Sequence, residues 1–201
     1  MDRREHWESI YSSKPDCELS WTQSQPDLSL ALIGRRCRPG GRIIDVGGGI
    51  SLLVDRLLEQ RYAVSVLDIS ESAISRARAR LAESASLVNW IVADVIAVAT
   101  LGQQDLWHDR AVFHFLTDSS DRRRYSDLLA RTVPKGGHAV IATFAPDGPE
   151  RCSGLDVCRY DAKSLAREIG SGLELLHSVP EAHLAPWGKP QSFQYSIFRR
   201  R

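Results

Sequence analysis

Short apolar runs alternate with segments of helical periodicity along most of this chain. The runs with strand character are Arg42–Val46, Ala63–Asp68, Val88–Ala93, Asp105–His108 and Gly137–Phe144. We expect a helix after each run but the last. Helical patterns cover 52–60, 72–83 and 122–133, with a further short helix at 161–169. Such alternation is typical of a parallel sheet that is covered by helices on both faces.

The end of the chain departs from this alternation. Two β-type segments, Leu173–Val179 and Phe193–Phe198, are joined by a loop that contains Trp187, Gly188 and Pro190. They predict an antiparallel strand pair. We therefore expect an α/β fold with a Rossmann-like, doubly wound, seven-stranded sheet, mostly parallel with a C-terminal antiparallel strand pair.

The domain organisation is expected to be simple. The 201 residues contain no repeat or low-complexity linker, which predicts a single domain over 1–201 with its α/β core at 42–201. Residues 1–34 predict one or two helices that carry Trp7, Tyr11 and Trp21. We expect this N-terminal segment to lie over a pocket as a helical lid.

A glycine turn follows the first predicted strand, where residues 42–51 read RIIDVGGGIS. Glycines suit a sharp bend that leaves no Cβ against a ligand, and ligands in such sheets bind beyond the carboxyl ends of the strands. The turn fits D-x-G-x-G-x-S rather than the dinucleotide pattern G-x-G-x-x-G, because Leu52 stands where the third dinucleotide glycine would be. This favours an uncharged or zwitterionic ligand over a pyrophosphate. The alternative is a purely structural strand-to-helix turn.

Three acids stand at the ends of three successive predicted strands, namely Asp45, Asp68 and Asp94. The carboxyl ends of parallel strands meet at one edge of the sheet, so these acids are expected to surround one site. A carboxylate at Asp68 can accept hydrogen bonds from both hydroxyls of a ribose. The spacing therefore indicates a nucleoside-containing ligand.

These motifs resemble those of the class I S-adenosylmethionine-dependent methyltransferases. The segment Asp45-Val46-Gly47-Gly48-Gly49-Ile50-Ser51 resembles the glycine motif that holds the amino-acid part of S-adenosyl-L-methionine, with Ser51 in place of the commoner third glycine. The resemblance implies Asp68 on the ribose, Ile69 beside the adenine, and Asp94 and Val95 on the adenine edge. Further cofactor contacts are expected from Tyr11, Trp21 and Asp109.

The fourth predicted strand leads into the segment Asp105–Leu116, which faces the transferred methyl group in this fold. The pattern N/D-P-P-Y/F, found in many amino-directed methyltransferases, is absent there. Asp109-Arg110 followed by an apolar run resembles the thiopurine and tellurite methyltransferase branch. The early aromatic residues Trp7, Tyr11 and Trp21 resemble that branch as well.

Arg110 and His114 are the candidate catalytic residues. The Arg110 guanidinium can clamp an anionic acceptor, pair with the cofactor carboxylate, or form a structural ion pair with Asp109. His114 can act as a general base because imidazole titrates near neutral pH. A histidine between two phenylalanines can equally be a packed, hydrogen-bonded residue.

The segment 144–160 is rich in proline and glycine and is expected to form a loop at the active-site edge, where selectivity often resides. Cys152 and Cys158, with Cys17 in the lid segment, suggest a soft acceptor, since thiolates favour soft metals and metalloids. Ordinary reduced cysteines are the alternative, and no metal site is predicted from their spacing. Arg159 and Tyr160 are a candidate donor pair for an anionic acceptor.

These observations predict a methyltransferase that acts on a small molecule with a thiol, chalcogen, metalloid or carboxylate acceptor. The alternatives are a protein lysine methyltransferase, a non-catalytic protein that binds S-adenosylmethionine, and a nicotinamide-dependent oxidoreductase. The formal net charge of +1 gives no basic excess for nucleic acid. Without an apolar leader or membrane-length stretch, we expect a cytoplasmic monomer or homodimer that binds no membrane.

Overall fold

A central sheet of seven strands organises the molecule, which a computed structural model describes over residues 2–201. The strands, in chain order, are β1 Arg42–Val46, β2 Ala63–Asp68, β3 Val88–Val92, β4 Leu106–Arg110, β5 His138–Phe144, the short β6 Arg151–Cys152 and β7 Leu155–Asp156, β8 Leu173–Leu184 and β9 Pro190–Arg200. Their order in the sheet is β3-β2-β1-β4-β5-β9-β8, and β6 pairs with β7 in a separate hairpin. β1 to β5 are parallel, whereas β9 runs antiparallel to both β5 and β8.

Helices cover both faces of this sheet. They are α1 Arg3–Ser13, α2 Asp27–Gly34, α3 Leu53–Glu59, α4 Glu71–Leu81, α5 Ser119–Thr132 and α6 Ala162–Ile169. Side chains of a strand point alternately to opposite faces, so Ile43 packs into one core and Ile44 into the other. The core around Ile43 includes α2 and α3, and the core around Ile44 includes α5 and α6.

The strand order places a crevice at the centre of the sheet. β1 lies between β2 and β4, so the connections that leave β1 and β4 run to opposite sides. Ligands of doubly wound sheets bind at such a switch point, outside the carboxyl ends of the strands. The glycine turn after β1 lies at this position.

The predicted fold is confirmed, with two differences in its elements. No helix follows β3 within residues 93–105, all of which are described; Val95 and Leu101 from this loop pack into the core around Ile44 instead. β8 also continues past Val179 to Leu184. It is the edge strand of the sheet, where a proline such as Pro180 is tolerated because one side of the strand needs no partner.

Within residues 2–201, none of the helices is both long enough and apolar enough to span a bilayer.

Candidate active site

Two adjoining pockets open at the carboxyl ends of the central strands. Counted together with the open solvent at their mouths, the first pocket has a volume of about 740 Å³ and the second about 1650 Å³. The first is lined by Gly47, Asp68, Ile69, Asp94, Val95, Val112, Phe115 and Cys152, and by Arg3, Trp7, Tyr11 and Trp21 from the N-terminal segment. The second is lined by Asp45, Gly48, Ser51, Ser29, His108, Glu181 and His183, among others. Gly47, Trp21 and Arg110 line both pockets.

The glycine turn has backbone angles and contacts that exclude side chains. Gly47 and Gly49 have φ values of +67° and +50°, in the left-handed region that favours glycine. A Cβ on Gly47 would come within 2.0 Å of Val112 Cγ2, and a Cβ on Gly49 within 2.7 Å of the Tyr11 hydroxyl oxygen. Because these glycines carry no side chain, Val112 and the Tyr11 hydroxyl can lie against the turn.

Asp68 ends β2 at the floor of the first pocket and is almost fully buried. Burial raises the pKa of Asp68 to about 7, and the nearby Asp45 acts in the same direction. Hydrogen bonds from backbone N–H groups, including Ser70 at 2.9 Å, oppose this shift of the pKa. Hydroxyl groups that donate hydrogen bonds to such a buried carboxylate stabilise its charged form.

Ile69, Asp94 and Val95 extend the same wall, as the sequence predicted for an adenine-binding edge. Asp94 Oδ1 accepts a hydrogen bond from the Ile96 amide at 3.1 Å, and Asp94 Oδ2 lies 3.6 Å from the Arg3 guanidinium. The structure therefore brings the predicted nucleoside-binding residues together in one pocket.

The helix α1 closes the first pocket from above. Trp7 packs edge-on against Trp21 and Phe115, with ring centroids 5.7 and 5.0 Å apart. Glu8 accepts hydrogen bonds from Ser70 Oγ at 2.7 Å and from the Ser72 amide at 3.1 Å, at the start of α4. These contacts place α1 beside the strand ends, and its role as a lid stays a prediction.

Arg110 ends β4 between the two pockets, but its guanidinium is held by the protein itself. Its Nε donates to the Tyr195 hydroxyl at 3.0 Å, one terminal nitrogen donates to the Trp21 carbonyl at 3.0 Å, and the other pairs with Glu181 at 3.3 Å. The guanidinium also stacks on Phe193 at 4.3 Å. The predicted alternative of an ion pair with Asp109 is wrong, since Glu181 takes that place.

Asp109 does not line either pocket, which contradicts the predicted cofactor contact. Its buried carboxylate accepts hydrogen bonds from the amides of Val112 at 2.8 Å and Phe113 at 3.1 Å, and from the Tyr125 hydroxyl at 2.5 Å. Burial raises the pKa of Asp109 to about 6, against the effect of these donors. By accepting from two amides of the turn after β4, Asp109 stabilises the conformation of that turn.

His114 is packed rather than presented to a ligand. Its ring lies 4.5 and 4.6 Å from the rings of Phe115 and Phe144, and Nδ1 accepts a hydrogen bond from the Phe144 amide at 3.2 Å. Burial, together with the charge of Arg110, lowers the pKa of His114 to about 3. The geometry fits the packed alternative and not a general base.

The predicted acceptor-binding residues of segment 144–160 are separated. Cys152 is buried in the wall of the first pocket, whereas Cys158 packs against the core on the opposite face of the sheet. Arg159 binds the Gly148 carbonyl and Glu150, and Tyr160 packs on Phe113. Neither Arg159 nor Tyr160 lines either of these two pockets, so the two residues do not form the predicted donor pair there.

The thiols do not form a metal-binding group. Cys17 is exposed and lines the second pocket, away from Cys152 in the first. Across the described chain, residues 2–201, no group of three or more histidines, cysteines or acids is arranged to hold a metal ion.

Several pocket residues were not identified from the sequence, namely Arg3, Ser29, Glu181 and His183. They come from α1, from α2 and from β8. None belongs to a motif. Only the alternation of polar and apolar residues in β8 beyond Pro180 carried a signal for Glu181 and His183.

Comparison with known proteins agrees with the fold. A family model described as a methyltransferase domain matches residues 43–137. Nodulation protein S of Sinorhizobium fredii (strain NBRC 101917 / NGR234) is 31% identical over 100 residues, which are 50% of this chain and 46% of that protein. The chain spans slightly less than half the length of the curated relatives it matches.

Two solved structures extend the likeness over nearly the whole chain. N-methyltransferase NodS from Bradyrhizobium japonicum WM9, in complex with S-adenosyl-L-homocysteine, gives a TM-score of 0.74 at 16% identity and covers 99% of both chains. A structure concerned with conversion of a disulfide bond into a thioacetal group during echinomycin biosynthesis gives a TM-score of 0.76 at 19% identity. The match covers 98% of this chain and 92% of the other. The chain therefore has the fold of these two structures.

Proposed function

We propose that this chain is an S-adenosylmethionine-dependent methyltransferase that acts on a small-molecule acceptor. The observation that carries the proposal is the first pocket, where Asp68 and Asp94 follow neighbouring strands beside a glycine turn that admits no Cβ. In this proposal Asp68 holds the ribose, and Ile69 and Val95 flank the adenine. The amino-acid part lies along the glycine turn beside Asp45.

The fit to the cofactor is chemical as well as steric. The cofactor supplies a methyl group on a sulfonium, which is electrophilic without help from a metal. The work left to the protein is to hold the acceptor in line and to exclude water. Trp7, Tyr11 and Trp21 provide an apolar cover for this purpose, and the first pocket ends beside Arg110 where the second begins.

The second pocket is the proposed acceptor site. Away from the glycine turn it carries the carboxylate of Glu181, and its one arginine, Arg110, is already paired with Glu181. An anionic acceptor would have to break that ion pair, whereas an uncharged or basic acceptor such as an amine would not. The likeness to the NodS N-methyltransferase structure supports an amine over the predicted carboxylate.

The finer predictions remain part of the proposal. The thiopurine and tellurite branch stays a prediction, and the separation of the three thiols lends no support to a metalloid acceptor. A cytoplasmic location and a monomeric or homodimeric state are likewise proposed. A protein lysine methyltransferase is the alternative acceptor class.

The test is a transfer assay with methyl-labelled S-adenosylmethionine and two fractions of a cell extract, one of low molecular mass and one macromolecular. Label is expected in a low-molecular-mass product that keeps it after mild alkali, as an N-methyl group does and a methyl ester does not. The matched variants are Asp68→Ala, expected to lose turnover, and the exposed Asp127→Asn, expected to keep it. Label in protein, or cofactor binding without turnover, would contradict the proposal.

A further inference from the structure

A buried chain of hydrogen bonds runs from the glycine turn to the second pocket. Asp45 and His108 are register partners on β1 and β4, and Asp45 Oδ1 lies 2.7 Å from His108 Nδ1. His108 Nε2 lies 3.0 Å from Ser29 Oγ on α2, which lies 3.3 Å from the Tyr195 hydroxyl on β9. Arg110 Nε donates to that hydroxyl at 3.0 Å and completes the chain.

The two ends of the chain fix the direction of the hydrogen bonds that Asp45 and Arg110 make. A carboxylate only accepts and a guanidinium only donates, so Asp45 requires a proton on His108 Nδ1 and Arg110 requires Tyr195 to accept. Tyr195 can then donate to Ser29, whose hydroxyl oxygen lies within hydrogen-bond distance of both Tyr195 and His108 Nε2.

This arrangement fixes the orientation of Asp45. His108 holds Oδ1, while Oδ2 lies beside Gly48, where a Cβ built on that glycine would come within 2.9 Å. Asp45 also lines the second pocket at the point where it meets the glycine turn. A carboxylate that is held in place before binding loses less entropy when it receives a cationic group.

We propose that His108 is a positioning residue that orients the Asp45 carboxylate toward the ammonium of the cofactor's amino-acid part. The inference rests on the proposed function, because it needs that cofactor in the site. Ser29, Tyr195 and Arg110 act on Asp45 through His108, since they hold the imidazole from its other side. His108 does not touch the reacting atoms in this scheme.

Two ligands separate this role from a general structural one. S-adenosylhomocysteine and 5′-methylthioadenosine share the adenosine and the thioether sulfur, but only the first has the amino-acid part. A residue that positions Asp45 matters for the first ligand alone. Loss of folding or distortion of the first pocket would weaken both.

Two substitutions separate the two nitrogens of the imidazole. The amide nitrogen of His108→Asn stands near Nδ1 and can still donate to Asp45, whereas the amide of His108→Gln reaches the Nε2 position and leaves Asp45 unsupported. Measured by calorimetry, the affinity of His108→Gln for S-adenosylhomocysteine is expected to be lower by about tenfold or more, the equivalent of one lost hydrogen bond to a charge. Its affinity for 5′-methylthioadenosine should be unchanged. His108→Asn should restore most of the loss.

The outcomes are distinguishable. If the wild-type protein binds neither ligand, the proposed function itself fails. If it binds both, and His108→Gln weakens both equally or neither, the positioning role is overturned. Ser29→Ala serves where His108→Gln does not fold: it keeps the imidazole but removes its outer support, so a smaller loss confined to S-adenosylhomocysteine is expected, and an unchanged ratio of the two affinities overturns the inference.

Discussion

At the scale of single residues, Asp68 gives the proposed cofactor site a dependence on pH. Its carboxyl is buried, and this burial raises its pKa to about 7. Ribose hydroxyls donate to the ionised form, so the carboxylate binds and the neutral acid binds poorly. Affinity for S-adenosylhomocysteine is therefore expected to rise by about tenfold between pH 6 and pH 8, following the ionised fraction of Asp68. Calorimetric titration over that range measures the slope.

The control for this prediction is a pair of isosteric variants. Asp68→Asn removes the titrating group and should bind weakly with an affinity that no longer depends on pH. Asp127→Asn changes an exposed acid on α5 by the same atoms and should keep the wild-type slope. A slope that persists in Asp68→Asn would assign the titration to another group.

Residues differ in how far the sequence could locate them. The glycines and Asp68 were predictable because the backbone path of a strand-turn-helix unit fixes where they lie. Asp109 and His114 were not, because a shift of one residue along β4 and its turn decides whether a side chain faces the pocket or the core. Those two side chains face inward, where Tyr125 and the Phe144 amide meet them.

At the scale of elements, α1 is attached to α4 by polar contacts in addition to its aromatic packing. Glu8 receives Ser70 Oγ and the Ser72 amide at the start of α4, and Arg76 donates to the Tyr11 carbonyl at 2.7 Å. Glu8→Gln replaces one accepting oxygen with a donor that faces other donors. We expect faster chymotryptic cleavage at Trp7 and Tyr11, because local opening of α1 becomes more frequent.

Glu5→Gln is the matched control for the helix. Glu5 is exposed, and its contact is with Asp2 at the start of the same helix. Cleavage at the wild-type rate in Glu5→Gln together with faster cleavage in Glu8→Gln locates the effect at the α1–α4 contact. If Glu8→Gln is also cleaved at the wild-type rate, the Glu8 contact does not hold α1 in place.

The elements themselves were largely readable from periodicity, since the parallel strands and the helices α4 and α5 have distinct patterns. The loop after β3 and the strand β8 were the exceptions. Pro180 reads as the end of a strand, yet an edge strand tolerates it, and β8 runs on to Leu184 in register with β9. That extension carries Glu181 and His183 into the second pocket. The proposed acceptor side of the site could not be predicted from the sequence, because this extension depends on the position of β8 at the sheet edge.

At the scale of the whole molecule, the site joins parts that are distant along the chain. The N-terminal segment, the strand ends and the β8–β9 hairpin meet at the two pockets, and Arg110 bonds to Trp21, Tyr195 and Glu181 from three of these regions. A pattern within a window of sequence cannot report such meetings. Topology supplied them, because β9 inserts between β5 and β8 and so brings the hairpin to the strand ends.

Because the proposed cofactor would contact several of these regions at once, its binding should stabilise the fold as a unit. A ligand that binds only the folded state at one hundred times its Kd adds about 2.7 kcal/mol to the free energy of unfolding. For a domain of this length that corresponds to an increase in Tm of about 5–10 °C. Thermal unfolding with S-adenosylhomocysteine at increasing concentration should show this increase, and Asp68→Ala should show little of it.

The same scan with NAD is the comparison: the glycine turn lacks the third dinucleotide glycine, so NAD should leave Tm unchanged. A rise with NAD and none with S-adenosylhomocysteine would favour the oxidoreductase alternative.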